Sequence, residues 1–183
     1  QGAPVDVFIS AAVDKMNALQ ARGLLLDDTR QDLLHNQVVL VVPKSNVTIS
    51  EFDDLTGVNL QNIAIGDPVS VPVGKYAKEV LTSLGIFGQL QPKAVLAKDV
   101  RQVLAYVQTE NVDAGIVYAT DAKRASNVRI AATAPDETHA PVVYPIAVVK
   151  DSQNPIAATE FVKFLLSEPA TEVFKTYGFS PLK

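Results

Sequence analysis

The chain has 183 residues, 48% hydrophobic and 20% charged, with a net charge of −4. That length buries a good core, as one domain or as two small lobes on one chain. The negative balance and the lack of a basic run argue against a nucleic-acid partner. The absence of cysteine excludes disulfides and thiolate metal sites. The longest apolar runs, such as Val38 to Val42, are far too short to span a bilayer. No signal peptide is visible, so any targeting segment is expected to lie outside Gln1–Lys183.

Val5 to Ile9 alternates around Asp6 and predicts a strand. Ser10 is a candidate N-cap for a helix from Ala11 to about Arg22, which Gly23 would stop. Asp27 to Asn36, polar around Leu33 and Leu34, predicts a turn and a short helix. Gln37 to Val42 is the strongest strand in the chain, ended by Pro43, and its unbroken apolar character predicts burial on both faces. Ser50 to Leu55 predicts a short capped helix ended by Gly57. Ile63-Ala64-Ile65 predicts a buried strand, and Gly66-Asp67-Pro68 turns the backbone. Pro72 then opens a helix, because a first-turn proline lacks only an N–H that would have been unpaired anyway. Tyr76, Ala77, Val80, Leu81 and Leu84 recur along it at helical steps.

Further on, Lys93 to Leu96 predicts a strand and Asp99 to Thr109 a helix, followed by a strand at Ala114 to Tyr118. A short helix at Asp121 to Ser126 and a strand at Val128 to Ala132 come next. Val142 to Val149 predicts a strand which Pro145 places at an edge or beside a bulge. Pro155 to Leu166 predicts an amphipathic helix with Ile156, Phe161, Phe164 and Leu165 inward, and Pro169 to Tyr177 a last helix closed by Gly178. Alternating strands and helices imply an α/β class with a largely parallel sheet. Two long strands, Val38 to Val42 and Tyr144 to Val149, bracket the middle of the chain. The expected division is therefore a lobe of residues 1–37 and 146–183, an inserted lobe of 38–145, and a hinge near 38–42 and 144–149.

Catalytic signals are weak. His35 and His139 sit in polar, loop-like contexts, and no histidine spacing suits a metal. Ser10 and Ser70 lack a nucleophile elbow, and no phosphate-cradling glycine motif follows a strand. Asp27-Asp28 and Asp53-Asp54 read as first-turn carboxylates favoured by helix dipoles. The expectation is that the chain is not an enzyme and needs no cofactor or directly coordinated metal.

Anion binding fits the residues better. Val73, at the start of the Pro72 helix, offers a backbone N–H, and Gly74 beside it admits close approach to the backbone. Val100, in the first turn of its helix, offers a second N–H, and Tyr118 at a strand end offers a hydroxyl. None is charged. Such donors suit a fully ionised oxyanion and discriminate against protonated anions, whose hydrogen would face donors. By pattern alone, packing is the simpler account: Tyr118 as the cap of a core strand, Val73 and Val100 as core residues.

Six stretches add to this reading: GAPVDVFISA (Gly2 to Ala11), IGDPVSVPVGKYAKEVL (Ile65 to Leu81), KDVRQVLAYV (Lys98 to Val107), GIVYATDA (Gly115 to Ala122), VVYPIAVV (Val142 to Val149) and FKTYGF (Phe174 to Phe179). Together, in this order, they resemble the periplasmic molybdate-binding proteins that serve molybdate ABC transporters. The resemblance implies a two-lobed periplasmic-binding-protein type II fold, with molybdate or tungstate held in the cleft. It implies an extracytoplasmic receptor that delivers the anion to an ABC permease. The family's backbone and tyrosine donors fall on Val73, Val100 and Tyr118, with Pro72 and Gly74 supporting the first helix start. The family often has alanine where Val73 stands, a change that a backbone donor survives.

The family also begins with two βα units, each supplying a serine donor, before the Gly2-Ala3-Pro4 segment. At roughly thirty residues per unit, about sixty are not in this chain, so the N-terminal lobe is expected to be incomplete. At ~1.5–3 kcal/mol per hydrogen bond to a charged group, isolated binding should fall by several orders of magnitude. The Val5 to Ile9 strand would lose sheet neighbours, which a dimer mate or a swapped element could cover. Two rival readings remain: a receptor-like fragment without high-affinity oxyanion binding that acts as an interaction or structural module, and an enzyme on the same fold, for which no nucleophile or metal cluster speaks.

Overall fold

A computed structural model describes residues 4–11 and 13–181. Gly2 and Ala3 of the first quoted stretch, and Ala12 of the expected first helix, lie outside the described residues. The chain divides into two compact units, Gln1–Asn36 with Val142–Lys183, and Gln37–Pro141.

The first unit opens with β1 (Val7–Ile9), α1 (Val13–Ala21), a 3-10 turn at Asp27–Thr29 and β2 (Gln31–Asn36). The second contains β3 (Val38–Pro43), a 3-10 turn at Asp53–Thr56, β4 (Ile63–Gly66), α2 (Pro72–Ser83), α3 (Phe87–Leu90), β5 (Ala94–Ala97), α4 (Val100–Gln108), β6 (Ala114–Tyr118), α5 (Ala119–Arg124), β7 (Val128–Thr133) and a 3-10 turn at Asp136–Thr138. The chain then returns to the first unit for β8 (Val142–Val148), α6 (Pro155–Leu165), α7 (Glu168–Thr176) and β9 (Ser180–Pro181).

In the first unit the sheet runs β1-β8-β2-β9, and every pair is antiparallel. Leu33, Leu34, Ile146, Val148, Ala158 and Val162 form its core, and a smaller cluster joins Met16, Leu25 and Ala147. The expected short helix after Asp27 is only a single 3-10 turn; Gln31–Asn36 is a strand, and His35 lies in it rather than in a loop. β8 is interior, so the edge alternative for Pro145 does not hold. The irregularity falls on its partner, between Asp32 and Leu34, opposite Pro145 and Tyr144. Proline contributes no N–H to a ladder, but its carbonyl still accepts from Ser10 N–H at 3.1 Å. Ser10 is not the residue next to α1, which begins at Val13.

A second correction concerns α6. Ala158, Val162 and Leu165 face the core, whereas Ile156, Phe161 and Phe164 are 82%, 49% and 55% exposed. The inward stripe follows steps of four and three, as helical geometry requires, but it is built from the smaller residues.

In the second unit the sheet runs β5-β4-β6-β3-β7. Only β4 with β5 and β4 with β6 pair in parallel; β3 runs antiparallel to both β6 and β7. The largely parallel sheet expected from strand–helix alternation is thus confined to three strands. β3 is buried along its whole length, as its unbroken apolar run predicts. Val39, Val41, Ala64, Val103, Val107 and Val117 meet in the core beneath α4.

The chain passes between units at Asn36/Gln37 and Pro141/Val142. The second crossing lies four residues before the expected 145/146 boundary. β8 is paired from Val142 onward, against Asn36, and therefore belongs wholly to the first unit.

Candidate functional site

Parallel pairing determines what shares an edge in the second unit. Gly66 of β4 stands beside Ala97 of β5, and Ala64 beside Gly115 of β6. The carboxyl ends of three strands therefore lie together, and each leads into a helix: β4 into α2, β5 into α4, β6 into α5. This is the edge at which open α/β sheets take ligands.

The start of α2 is nearly emptied of donors. Pro72 occupies its first position and has no N–H. Gly74 N–H and Lys75 N–H both turn back to Val71 carbonyl, at 3.0 and 3.2 Å. Val73 N–H is left, meeting no acceptor among the described residues. The Val73 side chain is buried, and it anchors the turn that carries this one donor.

Gly74 works differently from the expectation. A Cβ there would strike Gly66 carbonyl and come within 2.9 Å of Asp67 carbonyl carbon. The close approach that glycine permits is that of the β4 end itself, not of a ligand. Gly66 is matched to it: its own Cβ would sit 2.7 Å from Val71 Cγ1. The loop between them is tied by Asp67, whose carboxylate accepts from Val69 N–H at 3.0 Å and Ser70 hydroxyl at 2.7 Å. The Val69 N–H first, then the Ser70 hydroxyl, hold Asp67 below the usual carboxylate range.

At the start of α4, Asp99 is the N-cap, and its side chain accepts from Gln102 N–H at 2.8 Å. Asp99 carbonyl takes Val103 N–H at 3.3 Å. Val100 N–H and Arg101 N–H remain without acceptors among the described residues. The Arg101 donor was not singled out from the sequence; its position beside a side-chain-capped first residue is the signal that would have found it.

Tyr118 ends β6 opposite Val38 and forms the N-cap position of α5. It is half-buried, and its ring meets Tyr76 edge to face, with centroids 6.3 Å apart. Tyr76 in turn meets His139 at 5.8 Å. Neither neighbour was picked out as a site residue, because an aromatic residue on a helix reads first as core and a histidine in a polar stretch as surface.

Asp121, in the first turn of α5, is pushed up by burial, an effect opposed by Arg101 and Arg124. These three line a groove of about 470 Å³ with Leu104 and Gln108. A wider groove of about 700 Å³ beside α2, lined by Pro68, Lys75, Lys78, Glu79, Glu137 and His139, contains none of the three expected donors. Among the described residues, no group of three or more His, Cys, Asp or Glu could hold a metal. Among them too, no helix is long and apolar enough to cross a membrane.

Comparison with known sequences decides the family: the profile of the bacterial extracellular solute-binding proteins matches residues 1–180. The chain belongs to this family. It is 45% identical over 181 residues to YvgL of Bacillus subtilis, a lipoprotein that bears the name of an ABC transporter substrate-binding protein; the match covers 98% of this chain and 69% of that one. It is 41% identical to the molybdate-binding protein ModA of Escherichia coli, covering 98% of this chain and 71% of that protein. Among solved structures, a substrate-binding domain of a molybdenum ABC transporter from Clostridium difficile superposes with a TM-score of 0.93 at 42% identity, covering 100% of this chain and 80% of that one. The fold is that of type II periplasmic binding proteins.

Proposed function

We propose that this chain binds molybdate or tungstate as the receptor of an ABC importer, outside the cytoplasmic membrane, and passes the anion to a permease. The observation that carries the reading is the shared strand edge of the second unit. Among the described residues Val73 N–H and Val100 N–H meet no acceptor, and Tyr118 ends the neighbouring strand. All three are neutral. Helix N-termini offer unpaired N–H groups and the positive end of the dipole, which suits a dianion without a counter-charge. Relatives that bear the molybdate-binding name support the ligand class. Close relatives are transport receptors rather than enzymes, and the reading needs no cofactor.

The two chain crossings, Asn36/Gln37 and Pro141/Val142, are the proposed hinge, and closure about them is the signal to the permease. Isothermal titration with molybdate tests the reading. Binding by this chain, or by this chain with the family's upstream βα units joined to Gln1, supports it. No heat from either form would refute it.

A second reading is favoured by the outer face of α6. Ile156, Phe161 and Phe164 are all exposed there, and an exposed apolar face can mark a contact surface. On this reading the chain is a receptor-like interaction module that buries that face against a dimer mate or swapped element and binds oxyanions weakly. Light scattering after size exclusion separates the two: a stable dimer with no molybdate heat favours the module.

A further inference from the structure

We propose that Tyr76 is a positioning residue for anion selectivity: clamped by His139, it fixes the phenol of Tyr118 relative to the start of α2. The inference rests on the anion-receptor reading above and deepens it.

Three rings form a ladder. His139 and Tyr76 meet edge to face at 5.8 Å and 72°, and Tyr76 and Tyr118 at 6.3 Å and 65°. Both separations lie in the range where aromatic pairs attract beyond their buried area. Tyr76 stands one helical turn after Val73, so the middle rung belongs to the same helix start that carries the Val73 donor. One side chain therefore spans two of the three donors.

The outer rung is well supported. Ala134 N–H is bound to Val38 carbonyl at 2.9 Å, which ties the segment after β7 to the sheet. Thr138 is buried and donates its hydroxyl to Pro135 carbonyl at 2.6 Å. Ala140 N–H donates to Glu79 Oε2 at 2.9 Å, which ties the far end to α2 itself. His139 lies between these anchors, with Nδ1 2.7 Å from Ala140 carbonyl oxygen. The ladder thus begins on a segment fixed at both ends and finishes on the strand that bears Tyr118.

The chemistry gives this rigidity a use. Molybdate and sulfate are both tetrahedral dianions, so neutral donors cannot separate them by charge or shape. Size is left, and a size filter works only if the distance between donors is stiff. The backbone fixes Val73 and Val100. The phenol of Tyr118 is borne on a rotatable side chain, and Tyr76 is the ring beside it. Loosening Tyr118 lets the donors close around the smaller anion and costs the larger one its matched span.

The test is competition between molybdate and sulfate, on whichever form binds molybdate in the titration above, for wild type, Tyr76→Phe, Tyr76→Leu and His139→Ala. Tyr76→Phe keeps the ladder and should hold the molybdate-to-sulfate affinity ratio within about twofold. Tyr76→Leu should lower molybdate affinity roughly 3- to 10-fold, with little loss for sulfate, so the ratio falls. His139→Ala should lower the ratio less, in the same direction. Thermal midpoints are read alongside. An unchanged ratio in Tyr76→Leu, or equal loss for both anions, overturns the inference while leaving the receptor reading intact. If Tyr76→Leu does not fold, His139→Ala decides by the same ratio. If wild type binds neither anion, the receptor reading falls and this inference with it.

Discussion

At Gly74 a single hydrogen in place of a methyl group sets the distance between a helix and a strand end. A Cβ there would overlap the Gly66 carbonyl, which is backbone and cannot rotate away. Gly74→Ala should therefore destabilise the chain by about 3 kcal/mol or more, since overpacking against backbone has no cheap relief. Urea unfolding of the variant against wild type measures it; a loss below ~1 kcal/mol would mean the α2 start moves freely. Tyr118 poses the opposite kind of question. If its phenol donates to the anion, Tyr118→Phe removes one charge-assisted bond. Affinity in the molybdate-binding form should fall 10- to 150-fold, from ~1.5–3 kcal/mol. Calorimetric titration of the variant checks this, and wild-type affinity would remove Tyr118 from the site. Pro72, Val73, Gly74, Val100 and Tyr118 can be singled out from sequence because proline, glycine and strand-end signals are local. The sequence did not carry the role of Gly74, since what a glycine approaches is a tertiary fact, nor the pairing of Tyr76 with Tyr118, which lies 42 positions away.

Elements were legible where their period was clean. α2 and α4 begin where Pro72 and Asp99 announce them. β2 was missed because its irregularity breaks the period of two: Leu33 and Leu34 are consecutive yet both buried, in a strand whose register shifts between Asp32 and Leu34. α6 was found with Leu165 inward as expected, but Ile156, Phe161 and Phe164 face out and the core stripe runs through Ala158 and Val162 instead. The two helix starts at the site make separate predictions. Asp99→Ala removes the acceptor of Gln102 N–H and should cost about 1 kcal/mol, with faster amide exchange of Gln102 as the measurement. Asp67 makes the loop before α2 sensitive to acid. Its carboxyl is held low by Val69 N–H and Ser70 hydroxyl. A group so depressed contributes its stability above its unfolded value, and loses it as pH falls through the lower folded one. The loop should thus stay ordered at pH 5 and loosen only below the ordinary 3.8. The Val69 amide shift against pH tracks this, and Asp67→Asn should abolish the titration. Asp121 works in the opposite sense: burial raises it, so its ionisation weakens the fold as pH rises above the ordinary 3.8.

At the scale of the whole chain, the first crossing between units falls at Asn36/Gln37, just before the unbroken apolar run of β3. The second was displaced toward Pro145, a residue that looked like an interruption and is a buried part of an interior strand. The outer face of α6 bears on the integrity of the first unit as a folding unit. Phe161 and Phe164 are about half exposed, whereas Val162 between them is 4% exposed. If the unit's core is complete without that face, charge on it is harmless to folding. Phe161→Glu and Phe164→Glu should then each shift stability by no more than ~0.5 kcal/mol, the usual range for surface changes. Val162→Glu should unfold the unit, because it buries an unpaired charge. The same two glutamates would break any dimer formed through α6. Sedimentation velocity of the double variant is therefore expected to show monomer at concentrations where wild type associates, with unchanged urea unfolding. A wild type that stays monomeric throughout would remove α6 as a self-association surface. Unfolding of the double variant would make that face part of the core, against its exposure.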